Sequence, residues 1–184
     1  TVNLGNYDPA RAADMTKYAA AAFGERLVGV TVGNEPNGFA KTGLRDSGYG
    51  IEDYLTELKA YAAAMYDVAP EVPIVGPGTY EQTWWAPFAE VELPQKKILS
   101  FHHYPLSSCE GADPLGEPIM ANLTTRHLHD HANNFRGKAM QPALTAGLET
   151  WIPETGISAC PGSNETTKTH ASALWSADYA LSAA

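Results

Sequence analysis

The stretch Leu27-Val-Gly-Val-Thr-Val32-Gly33-Asn34-Glu35-Pro36-Asn37 begins as a β-branched apolar run and then turns abruptly polar. Such a run predicts a strand buried on both faces, as in a parallel sheet. A glycine-rich loop follows as far as Gly50. Ile51 to Ala69 then sets Tyr54, Leu55, Leu58, Tyr61, Ala62 and Met65 at helical spacing. Val72-Pro-Ile-Val-Gly76 reads as the next strand, so the segment is one strand–helix–strand unit.

The alternation continues in both directions. Upstream, Thr1 to Leu4 reads as the tail of a strand, and Asp8-Pro9 offers an N-cap and a first-turn proline for an Ala-rich helix ending near Phe23-Gly24. Downstream, a short helix is expected over Gln82 to Val91, a strand over Lys97 to His102, and a loop from Tyr104 to Glu117. A helix from about Pro118 to Phe135, a strand over Leu148 to Pro153 and a last helix from about Thr167 complete the pattern. Five strands alternating with five helices imply right-handed crossovers and an α/β fold with a parallel sheet. No linker or low-complexity segment interrupts residues 1–184, so a single domain is expected.

Two architectures fit that count. A doubly wound sheet often carries a glycine-rich phosphate loop after its first strand, and neither G-x-G-x-x-G nor G-x-x-x-x-G-K-[ST] occurs here. A (β/α)8 barrel needs about 250 residues, so these 184 would be an incomplete one. The chain starts without Met inside an expected strand and stops inside an expected helix, which reads as part of a longer protein.

Twelve basic against 21 acidic residues give a formal charge of -9. That balance repels nucleic acid and anionic membranes, and neither is an expected partner. No apolar run approaches the roughly 20 residues that cross a bilayer. Asn122-Leu-Thr and Asn164-Glu-Thr fit the N-glycosylation pattern.

In either architecture function gathers at the strand ends. Glu35 and Glu154 both stand there, and two carboxylates on one rim are what glycoside hydrolysis requires: one protonates the leaving oxygen while the other attacks the anomeric carbon. Neither metal nor cofactor is needed for that chemistry. A competing cluster, His127-Leu-His129-Asp130-His131, has zinc-binding residue types, but on a helix His127 and His131 share a face from which His129 points away. A metal-dependent hydrolase is therefore a minor alternative.

Asn34-Glu35-Pro36 at a strand end resembles the acid/base motif of the clan of retaining (β/α)8 glycosidases, whose acid/base Glu closes strand four and whose nucleophile Glu closes strand seven. With the partial first strand counted as the third, Leu27 to Val32 is fourth and Leu148 to Pro153 seventh. Four stretches in order are similar to the heparanase-like β-glucuronidases of glycoside hydrolase family 79: Val32-Gly-Asn-Glu-Pro-Asn-Gly38, Ser100-Phe-His-His-Tyr-Pro-Leu106, Glu154-Thr-Gly-Ile-Ser-Ala-Cys160 and Ala171-Ser-Ala-Leu-Trp-Ser-Ala-Asp-Tyr179. The resemblance implies a partial (β/α)8 barrel from about strand three to helix seven, acting on β-glucuronides.

It implies further that Glu35 is the general acid/base and Glu154 the nucleophile. Asn34 would bond the sugar 2-hydroxyl, Tyr104 would donate its hydroxyl to Glu154, and His103 is assigned to the sugar, one of His102 and His103 being expected to face the barrel wall. Glu149 also lies on strand seven, but at its start. Gly156 stands where many relatives have Asn. The barrel register puts Cys109 and Cys160 on loops of the same face, which implies a disulfide and a secreted, oxidising location. Arg45, Asp46 and Tyr49 are candidates for the leaving-group side, and Trp84, Trp85, Trp151 and Trp175 for core packing more than for sugar stacking. The reading from another class is a catalytically silent carbohydrate-binding or interaction module.

Overall fold

The computed structural model describes residues 1–183. By contact density the chain divides into one compact unit of Thr1–Phe101 with Ala139–Pro153, and a second of His102–Lys138 with the residues from Glu154 onward.

The first unit is built on a sheet in the order β1 (Val30–Thr31), β2 (Ile74–Thr79), β3 (Lys96–His103), β5 (Glu149–Thr155), with β4 (Leu106–Ser107) elsewhere. β1 pairs with β2, and β2 with β3, in parallel, with Val30 opposite Ile74 and Val75 opposite Ile98. Every residue of β2 is buried, as is β3 from Ile98 on, which fits strands covered on both faces. Spatial order following chain order, with helices in the crossovers, is the pattern of a partial (β/α)8 barrel.

Helix α1 (Pro9–Phe23) starts where the sequence places it. The Asp8 carboxylate accepts from the Arg11 N–H, Pro9 fills a position whose N–H has no intrahelical partner, and Gly24 follows at the end. Beyond the short α2 (Phe39–Thr42), α3 (Ile51–Tyr66) buries the six apolar side chains expected from its spacing. Each large one removed from water contributes about 1.5–3 kcal/mol. α4 (Trp85–Glu90) follows a 3-10 turn, and Trp84 and Trp85 are core, against Tyr54 and Phe101 respectively.

In the second unit, β4 pairs in parallel with β6 (Ser158–Ala159). Leu106, Leu123, Leu128 and Ile157 cluster beside them, with Ala171 and Trp175 packed on the outside. The long helix expected after Pro118 is instead α5 (Met120–Leu123) and α6 (Arg126–Thr145), which runs on into the first unit. The break sits at Thr125, whose hydroxyl accepts from the Leu128 N–H and caps the new helix. The last helix, α7, spans His170–Ala183. Cys109 and Cys160 form a disulfide with Cα atoms 5.0 Å apart, joining the loops after β4 and β6.

The expected strand over Thr1 to Leu4 is only a bridge of Val2 to Val32. β5 extends past Pro153, so Glu154 lies in the strand rather than after it. Among the described residues no helix is long and apolar enough to cross a membrane.

Candidate active site

In the first unit, Glu35 ends the β1 segment in a left-handed conformation, φ 48° and ψ 52°. A residue with a Cβ gives up roughly 1–2 kcal/mol to sit there, so the surroundings must impose it. Gly33, at φ 79°, donates its N–H to Val2 O, and a Cβ on it would meet Leu4 Cδ2 at 2.9 Å. The Glu35 N–H donates to Gly78 O at the end of β2, 3.0 Å away, and Pro36 opens the 3-10 turn that follows. The Glu35 side chain is half-buried and Asn34 is exposed.

The loop after Glu35 is tied down by Arg45. Its guanidinium bonds both oxygens of Glu57 at 2.9 and 3.2 Å and the carbonyls of Leu4, Gly5 and Leu44, and it lies over the rings of Phe39 and Tyr49. Tyr49 donates to Glu57 as well, and burial with that carboxylate pushes its pKa far up. The hydrogen bond that Arg45 donates to Glu57 is the main cause of its raised pKa. Arg45 and Tyr49 therefore brace the loop, their polar atoms engaged with Glu57 and the backbone, while Asp46 is exposed. Tyr80, which the sequence reading did not single out, lies directly after β2 and is 42% exposed. Partial burial and the charges of Glu35 and Glu81 raise its pKa.

In the second unit, the Glu154 carboxylate is 38% exposed and has two partners. Tyr104 donates its hydroxyl to Oε1 at 2.8 Å, and His102 Nδ1 lies 3.5 Å from Oε2. A Cβ on Gly156 would meet Tyr104 Cε1 at 3.1 Å, so a glycine here lets the phenol lie close against the backbone. The Thr155 hydroxyl donates to the carbonyl of His103.

The sugar was the partner expected for His103. Successive side chains of a strand face opposite sides, and here His102 is the one turned to Glu154. His103 is 3% exposed, stacked on Phe135 at 4.4 Å, with Nδ1 2.6 Å from the Tyr179 hydroxyl. Burial, with the nearby His131 and Arg136, pushes its pKa down to about 3, so it is neutral.

The helical histidines disperse. His127 Nε2 reaches Asp113 at 2.9 Å, His129 turns to Asn133, and His131 stands between the His127 and His103 rings at 6.3 Å from each. The Leu115 N–H and His127 hold the Asp113 carboxyl below its ordinary range.

A GH39 β-xylosidase from Caulobacter crescentus superposes with a TM-score of 0.61 at 16% identity, over 95% of this chain and 35% of that one. A monomeric β-xylosidase from Caulobacter crescentus CB15 gives 0.54 at 14% identity, over 83% and 31%. The chain thus spans about a third of the length of these solved structures. A search of curated proteins gave no match. Residues 1–180 match the glycosyl hydrolase family 79 N-terminal domain, and the chain belongs to that family.

Proposed function

We propose that the protein is a retaining β-glycosidase acting on β-glucuronides, with Glu154 as nucleophile and Glu35 as general acid/base. Glu154 attacks the anomeric carbon while Glu35 protonates the departing oxygen, leaving a covalent glycosyl-enzyme. Water then enters with Glu35 as base, and the sugar is released with its configuration retained. Asn34 bonds the sugar 2-hydroxyl as positive charge develops on the ring. His102 and Tyr104 orient the nucleophile. The substrate is a carbohydrate, and the chemistry uses neither metal nor cofactor. The Cys109–Cys160 bridge supports a secreted location.

The observation that carries this reading is the Tyr104 hydroxyl donated to Glu154 Oε1 at 2.8 Å in a family 79 chain. A hydroxyl donated to one carboxylate oxygen fixes the direction in which the other is aimed. The glucuronide preference rests on family membership.

The test uses the full-length protein with aryl β-glucuronide and aryl β-glucoside. Both Glu35→Gln and Glu154→Gln should abolish turnover. With azide, Glu154→Gly should give the α-azide and Glu35→Ala the β-azide. Inverted product from the unmodified protein, or carboxyl groups more than about 10 Å apart in a crystal structure, would overturn the mechanism. Preference for the glucoside would overturn the substrate assignment alone.

A further inference from the structure

We infer that Tyr80 is the contact for the leaving group and that it selects a sugar there, so that the substrate is a glycan in preference to a simple aryl or alkyl glycoside. The inference rests on Glu35 being the general acid.

Gly38, Asn37 and the charges of Glu35 and Glu81 bear on the Tyr80 hydroxyl. Tyr80 follows Thr79, the last residue of β2, and is two residues from Gly78, whose carbonyl holds the Glu35 N–H. A Cβ built on Gly38 would come within 3.8 Å of the Tyr80 oxygen, and the Glu35 and Glu81 charges act on that oxygen. The Asn37 amide lies beside it and favours its ionised form, although the pair lacks the geometry of a formed hydrogen bond. Both polar atoms of that amide are buried with no hydrogen bond made.

A buried amide without a formed hydrogen bond is rare, and such groups commonly wait for a ligand or a small movement to complete them. Tyr80 is 42% exposed and within reach of the Glu35 charge, and the group that Glu35 protonates departs next to that carboxyl. A sugar supplies a hydroxyl that both donates and accepts, matching the phenol, and a C–H face that packs on an aromatic ring. A bare aryl or alkyl group supplies no hydroxyl. A sugar seated against Tyr80 draws the phenol into bonding geometry with Asn37, making Asn37 a positioning residue that acts through Tyr80.

The test compares, in the full-length protein, a disaccharide and a glycosyl fluoride carrying the same donor sugar, glucuronic acid or glucose, whichever is accepted. Fluoride leaves without a sugar in the leaving-group site and without proton donation. Tyr80→Phe should lower the ratio of kcat/KM for disaccharide over fluoride tenfold or more, chiefly through KM, and Tyr80→Ala should lower it further. Asn37→Ala should shift the ratio in the same sense, and its effect should vanish in the Tyr80→Phe background. An unchanged ratio, equal losses on both substrates, additive effects of the two substitutions, or acceptance of neither donor overturns the inference. Glu35→Gln serves as the separate control: it should lose the disaccharide yet still release about one fluoride per enzyme in a burst, because forming the glycosyl-enzyme from the fluoride needs no acid while its hydrolysis lacks the base. If it keeps the disaccharide, the acid assignment fails whatever Tyr80 does. If it behaves as expected and the Tyr80 ratio does not move, only the subsite inference fails.

Discussion

His103 sits at the end of β3 with its ring stacked on Phe135, one nitrogen at the Tyr179 hydroxyl, and His131 and Arg136 of α6 close enough to oppose a positive charge. Its pKa falls from an ordinary 6.5 to about 3. Above pH 6.5 the ring is neutral whether the chain is folded or not, and it contributes nothing to pH dependence. Below that value the unfolded chain binds a proton that the folded one refuses, so stability falls as pH drops, at about 1.4 kcal/mol per pH unit. The loss continues until the folded-state pKa is reached. Between pH 7.5 and 5.0 it amounts to about 2 kcal/mol. Urea unfolding of the full-length protein at those two values, beside His103→Gln, isolates the effect, because other titrating groups cancel in the difference. The variant should be less stable at pH 7.5, having lost the stacked ring, yet should lose about 2 kcal/mol less than the unmodified protein on acidification. Parallel pH profiles, agreeing within about 0.5 kcal/mol, would refute the reasoning.

Replacing both Cys109 and Cys160 by Ser opens a bridge spanning 51 residues, and the chain-entropy relation expects a loss of about 4 kcal/mol; a urea midpoint that barely moves would count against it. Gly33→Ala faces both an unfavourable φ and Leu4, whereas Gly43, at φ 74°, has nothing within 4 Å of an added Cβ. Gly33→Ala should therefore cost at least about 1 kcal/mol more than Gly43→Ala in thermal unfolding, and it alone should impair turnover by shifting Glu35. Tyr104→Phe removes a hydrogen bond to a charged group, typically about 1.5–3 kcal/mol. It should lower kcat/KM roughly 10- to 150-fold without loss of folding, and a variant with unaltered kinetics would remove Tyr104 from the mechanism.

The alternation of elements, the α1 cap at Asp8-Pro9 and the buried face of α3 were all legible in the sequence, because each is a local signal: a capping side chain, a fixed φ, a 3.6-residue period. Glu35 was legible as a strand-end carboxylate for the same reason. The two-residue pairing of β4 with β6 was not, since two residues carry no periodicity. The break at Thr125 was hidden inside a run that reads as helical on both sides.

At the end of β3, a period of two requires His102 and His103 to face opposite ways but leaves open which one meets a carboxylate and which one the core; packing of Phe135 and Tyr179 around His103 decided it. The place of Arg45 was decided on the same ground. A long cation goes wherever distant acceptors converge, here Glu57 on α3 and the carbonyls of Leu4 and Gly5, and no local pattern records that convergence. Local propensity thus set the order of strands and helices and the chemistry available at their ends, while the direction in which each functional side chain is spent was settled by contacts between residues far apart in the chain.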